Sequence, residues 1–320
     1  MRGSVLRSNI ILIMMLDVQE ILSGNRRAIA RAISLVENNS DDSKTLLKSI
    51  FAHTGKAHRL GITGPPGAGK STIVDNLTKL FREQKRSVGI IAVDPTSPFT
   101  GGALLGDRIR FQEFAQSDDL YFRSMATRGS VGGISRRIDE VVDILDSSGK
   151  DIILIETVGV GQSELEIAEA SDTTIVVLVP ESGDDIQAMK AGLMEIADIF
   201  VLNKSDREGA DQAYACISNS LHLRDNNGWV PPVIKTSAIN GEGIEELNEA
   251  ISEHHDWMEK EQTVEKSRAF RLRKRVKEII SEELDQKFWT DERNNLLEKL
   301  LNGNQAGTQT PYEIVEELKK

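Results

Sequence analysis

The run GPPGAGKST at 64–72 limits what this chain can fold into, because it stands between an apolar run at 60–63 and a stretch of helical period, STIVDNLTKLFREQ. It is a complete G-x-x-x-x-G-K-[ST] loop in the strand–loop–helix context that the motif requires. Gly64, Gly67 and Gly69 allow a backbone bend that turns several N–H groups, that of Ala68 among them, toward bound phosphates. The positive end of the following helix adds to the attraction. Lys70 is expected to reach the β and γ phosphates, Ser71 to ligate magnesium, and Thr72 to face the α phosphate.

The rest of the chain agrees with the architecture this loop demands. Short apolar runs at 60–63, 88–93, 120–124, 152–155, 174–179, 199–202 and 233–236 alternate with segments of helical period. Such alternation implies a parallel sheet with helices on both faces. Runs such as TTIVVLV and DIILI are continuously apolar, as strands buried on both sides are. Residues 17–57 read as helices ahead of the first strand. Residues 258–302 carry Leu272, Val276, Ile280, Leu284 and Phe288 at steps of four, which predicts a helix with one buried face, and a last short helix is expected at 312–318. The expected fold is an α/β P-loop NTPase with a mainly parallel sheet, divided into an N-terminal helical extension (1–57), a nucleotide-binding domain (58–257) and a C-terminal helical arm (258–320).

Composition narrows the partners. A net charge of -11 argues against nucleic acid as the main partner, which usually leaves a basic footprint. The one cysteine, Cys216, forbids an intramolecular disulfide and fits a reducing cytoplasm. The apolar run at 10–16 is too short to span a bilayer, which needs about 20 residues, so no membrane role is expected and the start fits translation from Met15. The basic cluster KSRAFRLRKRVK at 266–277 reads as a solvated helix face, and the adjacent His254 and His255 as exposed helix residues.

Magnesium takes hard oxygen ligands, so carboxylates are expected at strand ends near Ser71. Asp94 ends the second strand, Asp107 follows the loop PTSPFTGGALLGD with the composition of a mobile switch, and Glu156 ends the strand DIILI. The stretch IETVGVGQS holds Glu156 where small GTPases carry Asp, and Val160 where they place a water-orienting glutamine. Gly159 N–H is positioned to meet the γ phosphate, and Asp107 or Asp94 then becomes the preferred group to orient attacking water, ahead of Gln162. Arg108, Arg110 and Arg128 read as ion-pair or surface residues. The base is read by NKSD at 203–206: Asp206 accepts two hydrogen bonds from guanine, which adenine does not offer, while Lys204 lies along the base and Asn203 holds the loop. TSA at 236–238 brings Ser237 and a backbone N–H at Ala238 to the guanine O6. GTP is favoured over ATP.

Together, GPPGAGKST, AVDPTSPFTGGALLGDRIR, ILIETVGVGQSE, SGDDIQAMKAGLMEIADIFVLNKSD and TSA resemble the MeaB/ArgK GTPases over nearly the whole chain. The resemblance implies a GTPase chaperone that binds GTP and GDP with Mg2+, acts on an adenosylcobalamin-dependent acyl-CoA mutase, chiefly methylmalonyl-CoA mutase, and forms a homodimer through its C-terminal helices. It implies Asp94, Asp107 and Glu156 as magnesium and switch acids, with Lys70 in the catalytic set. It also implies a further switch at 180–187, where Gly183, Asp184 and Gln187 keep their places while Glu181 and Ser182 depart from the family's Pro-Gly-Ala-Gly-Asp form. Three other readings compete: a small-molecule kinase of the arginine/ornithine transport type, a nickel-type metal chaperone, for which one cysteine and scattered histidines are a poor ligand set, and a switch that binds nucleotide without hydrolysing it.

Overall fold

Strands form where the apolar runs stand. They are β1 (His58–Thr63), β2 (Val88–Pro95), β3 (Leu120–Thr127), β4 (Ile152–Thr157), β5 (Thr173–Leu178), β6 (Ile199–Asn203) and β7 (Val233–Thr236). The computed structural model describes residues 18–38, 40–95, 119–127, 133–157, 163–180, 192–221, 228–303 and 309–320. The strands lie in the order β3-β2-β4-β1-β5-β6-β7, and every pairing is parallel.

The helices are α1 (Arg26–Glu37), α2 (Asp41–Ile50), α3 (Lys70–Glu83), α4 (Gly133–Ser147), α5 (Ser163–Ala170), α6 (Leu193–Ile196), α7 (Ala210–Leu221), α8 (Ile244–Lys260), α9 (Thr263–Phe288), α10 (Asp291–Gly303) and α11 (Pro311–Leu318). Because side chains alternate along a strand, each strand feeds two cores. Ile152, Leu154, Ile175 and Val177 pack with Ile73 and Leu77 of α3 and Leu247 and Ile251 of α8 on one face. Their neighbours Ile153 and Ile155 pack on the other face with Ile29 and Ile33 of α1 and Val141 of α4. Farther along that second face, Phe200 and Leu202 meet Ile217 of α7.

The N-terminal helices are stitched to this sheet. The Asn25 side chain caps α1 by accepting the Arg27 and Ala28 N–H groups at 3.0 and 3.1 Å. The Asp146 carboxylate accepts the backbone N–H groups of Gly55, Lys56 and Ala57 at 2.6, 3.1 and 3.1 Å, holding the chain's approach to β1 against the end of α4. Arg123 of β3 pairs with Glu37 of α1.

The chain divides into two units, Met1–Arg268 and Ala269–Lys320. The helical pattern at 258–302 is broken twice. Gln262 takes a left-handed φ of 53° between α8 and α9, and Thr290 opens α10 by accepting the Asn294 N–H at 2.9 Å. The face expected to be buried is exposed: Leu272, Val276, Ile280 and Leu284 are 48%, 45%, 51% and 61% accessible. Helical period marks a stripe, but burial needs a facing element. Among the described residues, no helix is long and apolar enough to cross a membrane.

His254 also departs from expectation: it is buried, 2% accessible. It stands on the inward stripe of α8 with Leu247, Ala250, Ile251 and Met258. Its Nδ1 lies 2.9 Å from Thr173 Oγ1, which lies 2.8 Å from Nε2 of the buried His58, and His255 stacks on His58 with centroids 4.3 Å apart. Burial lowers His58 to about 3, against the opposing pull of the Asp172 carboxylate, with His255, His254 and Arg86 adding to the fall. Burial and then His255 lower His254 to about 4. Both folded pKa values lie below the unfolded value of 6.5, so the unfolded chain takes up protons first as pH falls. The stability held by the neutral rings is therefore complete above about pH 7 and is lost as pH falls below 6.5. The expected loss is about 2 kcal/mol per histidine by pH 5, seen as a falling urea midpoint between pH 7.5 and 5. A flat midpoint over that range would show that these rings titrate in the native state as they do in the unfolded chain.

Candidate functional site

The site grows from strand register. The β1–β4 pairing sets Ile62 beside Glu156, so Glu156 ends up next to the strand that runs into the glycine loop. The β2–β4 pairing sets Ala92 beside Glu156 and Val93 beside Thr157, which brings the backbone of Asp94 to the same edge. Thr63 and Thr157 close the two strand ends with hydroxyls 3.1 Å apart. Ligands of open α/β sheets bind at this carboxyl end.

Within the loop, Gly64 has a φ of 137° and a Cβ there would lie 2.1 Å from the Val177 carbonyl oxygen. Gly69, at φ 90°, opens α3, and a Cβ there would lie 2.3 Å from Asn203 Nδ2. The loop is thus pressed against β5 on one side and the end of β6 on the other. Lys70 is buried, and its Nζ donates to the Gly64 and Pro65 carbonyls at 2.8 and 2.9 Å. The Ser71 hydroxyl donates to Glu156, itself only 8% accessible. Burial lowers the Lys70 pKa, opposed by the carboxylates of Glu156 and Glu164. Glu164, on the first turn of α5, is raised by burial and held down by Lys70.

At the other side of the loop, the β6–β7 register sets Asn203 beside Thr236. Asn203 is buried and joins three segments. Its Nδ2 donates to the Ala68 carbonyl at 2.8 Å, while its Oδ1 accepts from Thr236 Oγ1 at 3.0 Å and from the Ala238 N–H at 3.1 Å. The Ala238 N–H, expected to meet a base oxygen, is here engaged with Asn203. Lys204 takes a left-handed φ of 59°, which turns the chain so that Asp206 Oδ1 accepts from the Ser237 hydroxyl at 2.9 Å. Asn240 donates to that same hydroxyl oxygen at 3.1 Å, and Asn76 of α3 donates to the Ala238 carbonyl at 2.6 Å.

The structure therefore brings Gly64, Gly67, Ala68, Gly69, Lys70, Ser71, Glu156, Asn203, Lys204, Asp206, Ser237 and Ala238 to one end of the sheet, with Thr72 on the first turn of α3. Asp107, Gly159, Gly183, Asp184 and Gln187 lie outside the described residues, as do Arg108, Arg110, Arg128, Val160 and Gln162; of Asp94 only the place in β2 is described. Sequence reasoning missed Glu164, Thr236 and Asn76 as members of the site. Glu164 and Thr236 fall inside quoted motifs, but spacing does not say which way a helix turn or a strand end faces. Asn76 carries no motif signal at all.

The Ala68 N–H, expected to turn toward phosphate, bonds the Pro65 carbonyl at 3.2 Å. A glycine loop at a helix N-terminus with a buried ammonium makes an anion site, and the Ser71 hydroxyl and Glu156 carboxylate lie beside it. With the parallel sheet, these define a P-loop nucleoside-triphosphatase fold. The chain belongs to the MeaB family: the family model described as "Methylmalonyl Co-A mutase-associated GTPase MeaB" matches residues 29–293. A Pyrococcus horikoshii protein carrying a provisional GTPase name is 50% identical over 268 residues, covering 82% of this chain and 84% of its own. GTPase ArgK of Escherichia coli is 38% identical over 244 residues, 73% of this chain and 74% of its own. The crystal structure of a protein named "LAO/AO transport system kinase" superposes with a TM-score of 0.73 at 28% identity, covering 96% of each chain.

Proposed function

We propose that the protein binds GTP with Mg2+, hydrolyses it slowly to GDP and phosphate, and works as a cytoplasmic chaperone for an adenosylcobalamin-dependent acyl-CoA mutase, methylmalonyl-CoA mutase foremost. The observation that carries the guanine reading is the Asn203 bridge. It ties the phosphate loop, through Ala68, to the loop that orients Asp206, through Ala238. Base and phosphate recognition are thus parts of one hydrogen-bonded body. The mutase reading is supported by the family's description.

Lys70 exchanges its two carbonyl partners for phosphate oxygens, so its charge is delivered from a preorganised position. Ser71 and Glu156, with Asp94 and Asp107, are the residues that would hold Mg2+, which neutralises phosphate charge when bound. Asp107 or Asp94 orients the water. The segment with Gly183, Asp184 and Gln187 relays nucleotide state to the mutase. The exposed stripe from Leu272 to Leu284 pairs with that of a second copy in a homodimer.

Single-turnover phosphate release tests this. The isolated protein is expected to turn over slowly and to speed up when methylmalonyl-CoA mutase is added. A fast enzyme indifferent to the mutase would overturn the reading. The 28% identical neighbour of known structure bears the name of a kinase, and the same assay separates that reading: a kinase would place the phosphate on an acceptor other than water.

A further inference from the structure

The turn that follows β7 is stiff in itself. The Ser237 N–H donates to the Glu242 carbonyl at 3.1 Å, and the Ser237 carbonyl accepts the Glu242 and Asn240 N–H groups at 3.2 and 2.9 Å. At its far end Gly243 takes a φ of 77°, and a Cβ there would lie 2.1 Å from the Lys235 carbonyl oxygen. Ile239 at the tip is 87% accessible, so packing does not fix the tip. The turn is held at its base, where Ala238 is 4% accessible.

Two asparagines hold Ala238. Asn203 Oδ1 accepts its N–H at 3.1 Å, and Asn76 Nδ2 donates to its carbonyl at 2.6 Å. These groups belong to the peptide units on either side of the Ala238 Cα, so the two bonds together restrain both backbone dihedrals of that residue. The carbonyl has a second donor, the Gly241 N–H, at 3.4 Å. That bond lies within the turn and ties it to nothing outside. The Asn76 bond joins residues 162 apart in sequence and reaches α3.

Asn76 stands four residues after Thr72 on α3, so the two share a face. That face leads from the residue expected at the α phosphate to the base-reading turn. Asparagine is a poorer helix former than alanine, so α3 gains nothing locally from it. A carbonyl accepts only, so an amide NH2 is the group that the contact uses. We infer that Asn76 is a positioning residue for the nucleotide base: it fixes the turn 237–243 to the helix that carries Lys70 and Ser71, and so sets how long the nucleotide stays bound. This rests on the guanine reading proposed above, in which Asp206 and Ala238 meet the base.

The consequence is kinetic. Without Asn76 the phosphate end keeps its contacts, since Lys70 still bonds the Gly64 and Pro65 carbonyls and Ser71 still bonds Glu156. The turn keeps its internal bonds but moves relative to α3, and the base end opens more often. Release quickens, while association stays near the parent rate.

Release of a fluorescent GDP from the full-length protein is followed by stopped flow after a chase of unlabelled GDP, with Mg2+ present. Asn76→Ala is expected to raise the release rate about tenfold and to leave association within about twofold. Asn76→Asp sets an acceptor against the Ala238 carbonyl and is expected to raise release further, about thirtyfold. Inorganic tripolyphosphate, which has no base, is the control ligand, and its affinity should stay within about twofold of the parent. If Asn76→Ala lowers the thermal midpoint, Asn76→Gln, which keeps the NH2 donor on a longer side chain, carries the test. It should release GDP faster than the parent and more slowly than Asn76→Asp. Release from Asn76→Ala within about twofold of the parent, or tripolyphosphate affinity that falls as far as GDP affinity, would overturn the inference and leave the guanine reading standing. A parent that holds ADP as tightly as GDP would overturn the guanine reading, and this inference with it.

Discussion

Asp206→Asn is expected to weaken GTP and GDP binding by about 10³-fold or more and to create binding of the xanthine nucleotides. In the proposed reading the aspartate offers two acceptor oxygens to two guanine donors. Asparagine keeps one acceptor and turns the other into a donor facing a donor, so a buried polar group is left unpaired. Xanthine has a carbonyl oxygen where guanine has its amino group, and it restores the match. The fold should tolerate the change, because the Ser237 hydroxyl that bonds Asp206 Oδ1 at 2.9 Å meets an equivalent oxygen in asparagine. Competition binding of GDP and XDP against a fluorescent nucleotide measures the exchange. If GDP affinity stays within about tenfold of the parent, Asp206 is not the base reader.

Gly64→Ala should cost the protein both nucleotide binding and stability. The added Cβ would lie 2.1 Å from the Val177 carbonyl oxygen, with that residue's carbonyl carbon and amide nitrogen at 3.1 and 3.2 Å. All three are backbone atoms of a central strand, so no flexible side chain can swing away. Gly67→Ala is the matched comparison, since its φ is also positive, 75°, yet a Cβ there meets nothing within 4 Å. It should cost about 1–3 kcal/mol of backbone strain and leave a folded protein. Thermal melts and nucleotide titrations of the two variants give the contrast. Equal melting of the two would show that the loop has room to move away from β5.

Much of the architecture was legible because it depends on local pattern. Continuously apolar strands, a glycine loop between strand and helix, and NKSD after another strand each report their own environment within a few residues. That is why the strands, the P-loop fold and the family could be read directly. His254 was misread for a correctable reason: its spacing from Leu247, Ala250, Ile251 and Met258 already marks the inward face of a helix. The stripe at Leu272–Leu284 was misread for a deeper one, since amphipathic period says that a face seeks cover without saying whether the same chain supplies it.

The sequence by itself determined the chemistry available: an ammonium and a hydroxyl after a glycine loop, acids at strand ends, and an aspartate in an N-K-x-D run. These are residue types at short spacings, and the backbone cannot rearrange such spacings. The tertiary structure alone decided which of them meet. Pairing β1 with β4 put Ser71 on Glu156, pairing β6 with β7 put Asp206 on Ser237, and the close approach at Gly69 let Asn203 bond the phosphate loop. The same folding laid Asn76 of α3 against the Ala238 carbonyl, 162 residues away in sequence. Strand order and register are properties of the whole sheet, set by the sum of many buried contacts, and no local pattern encodes them.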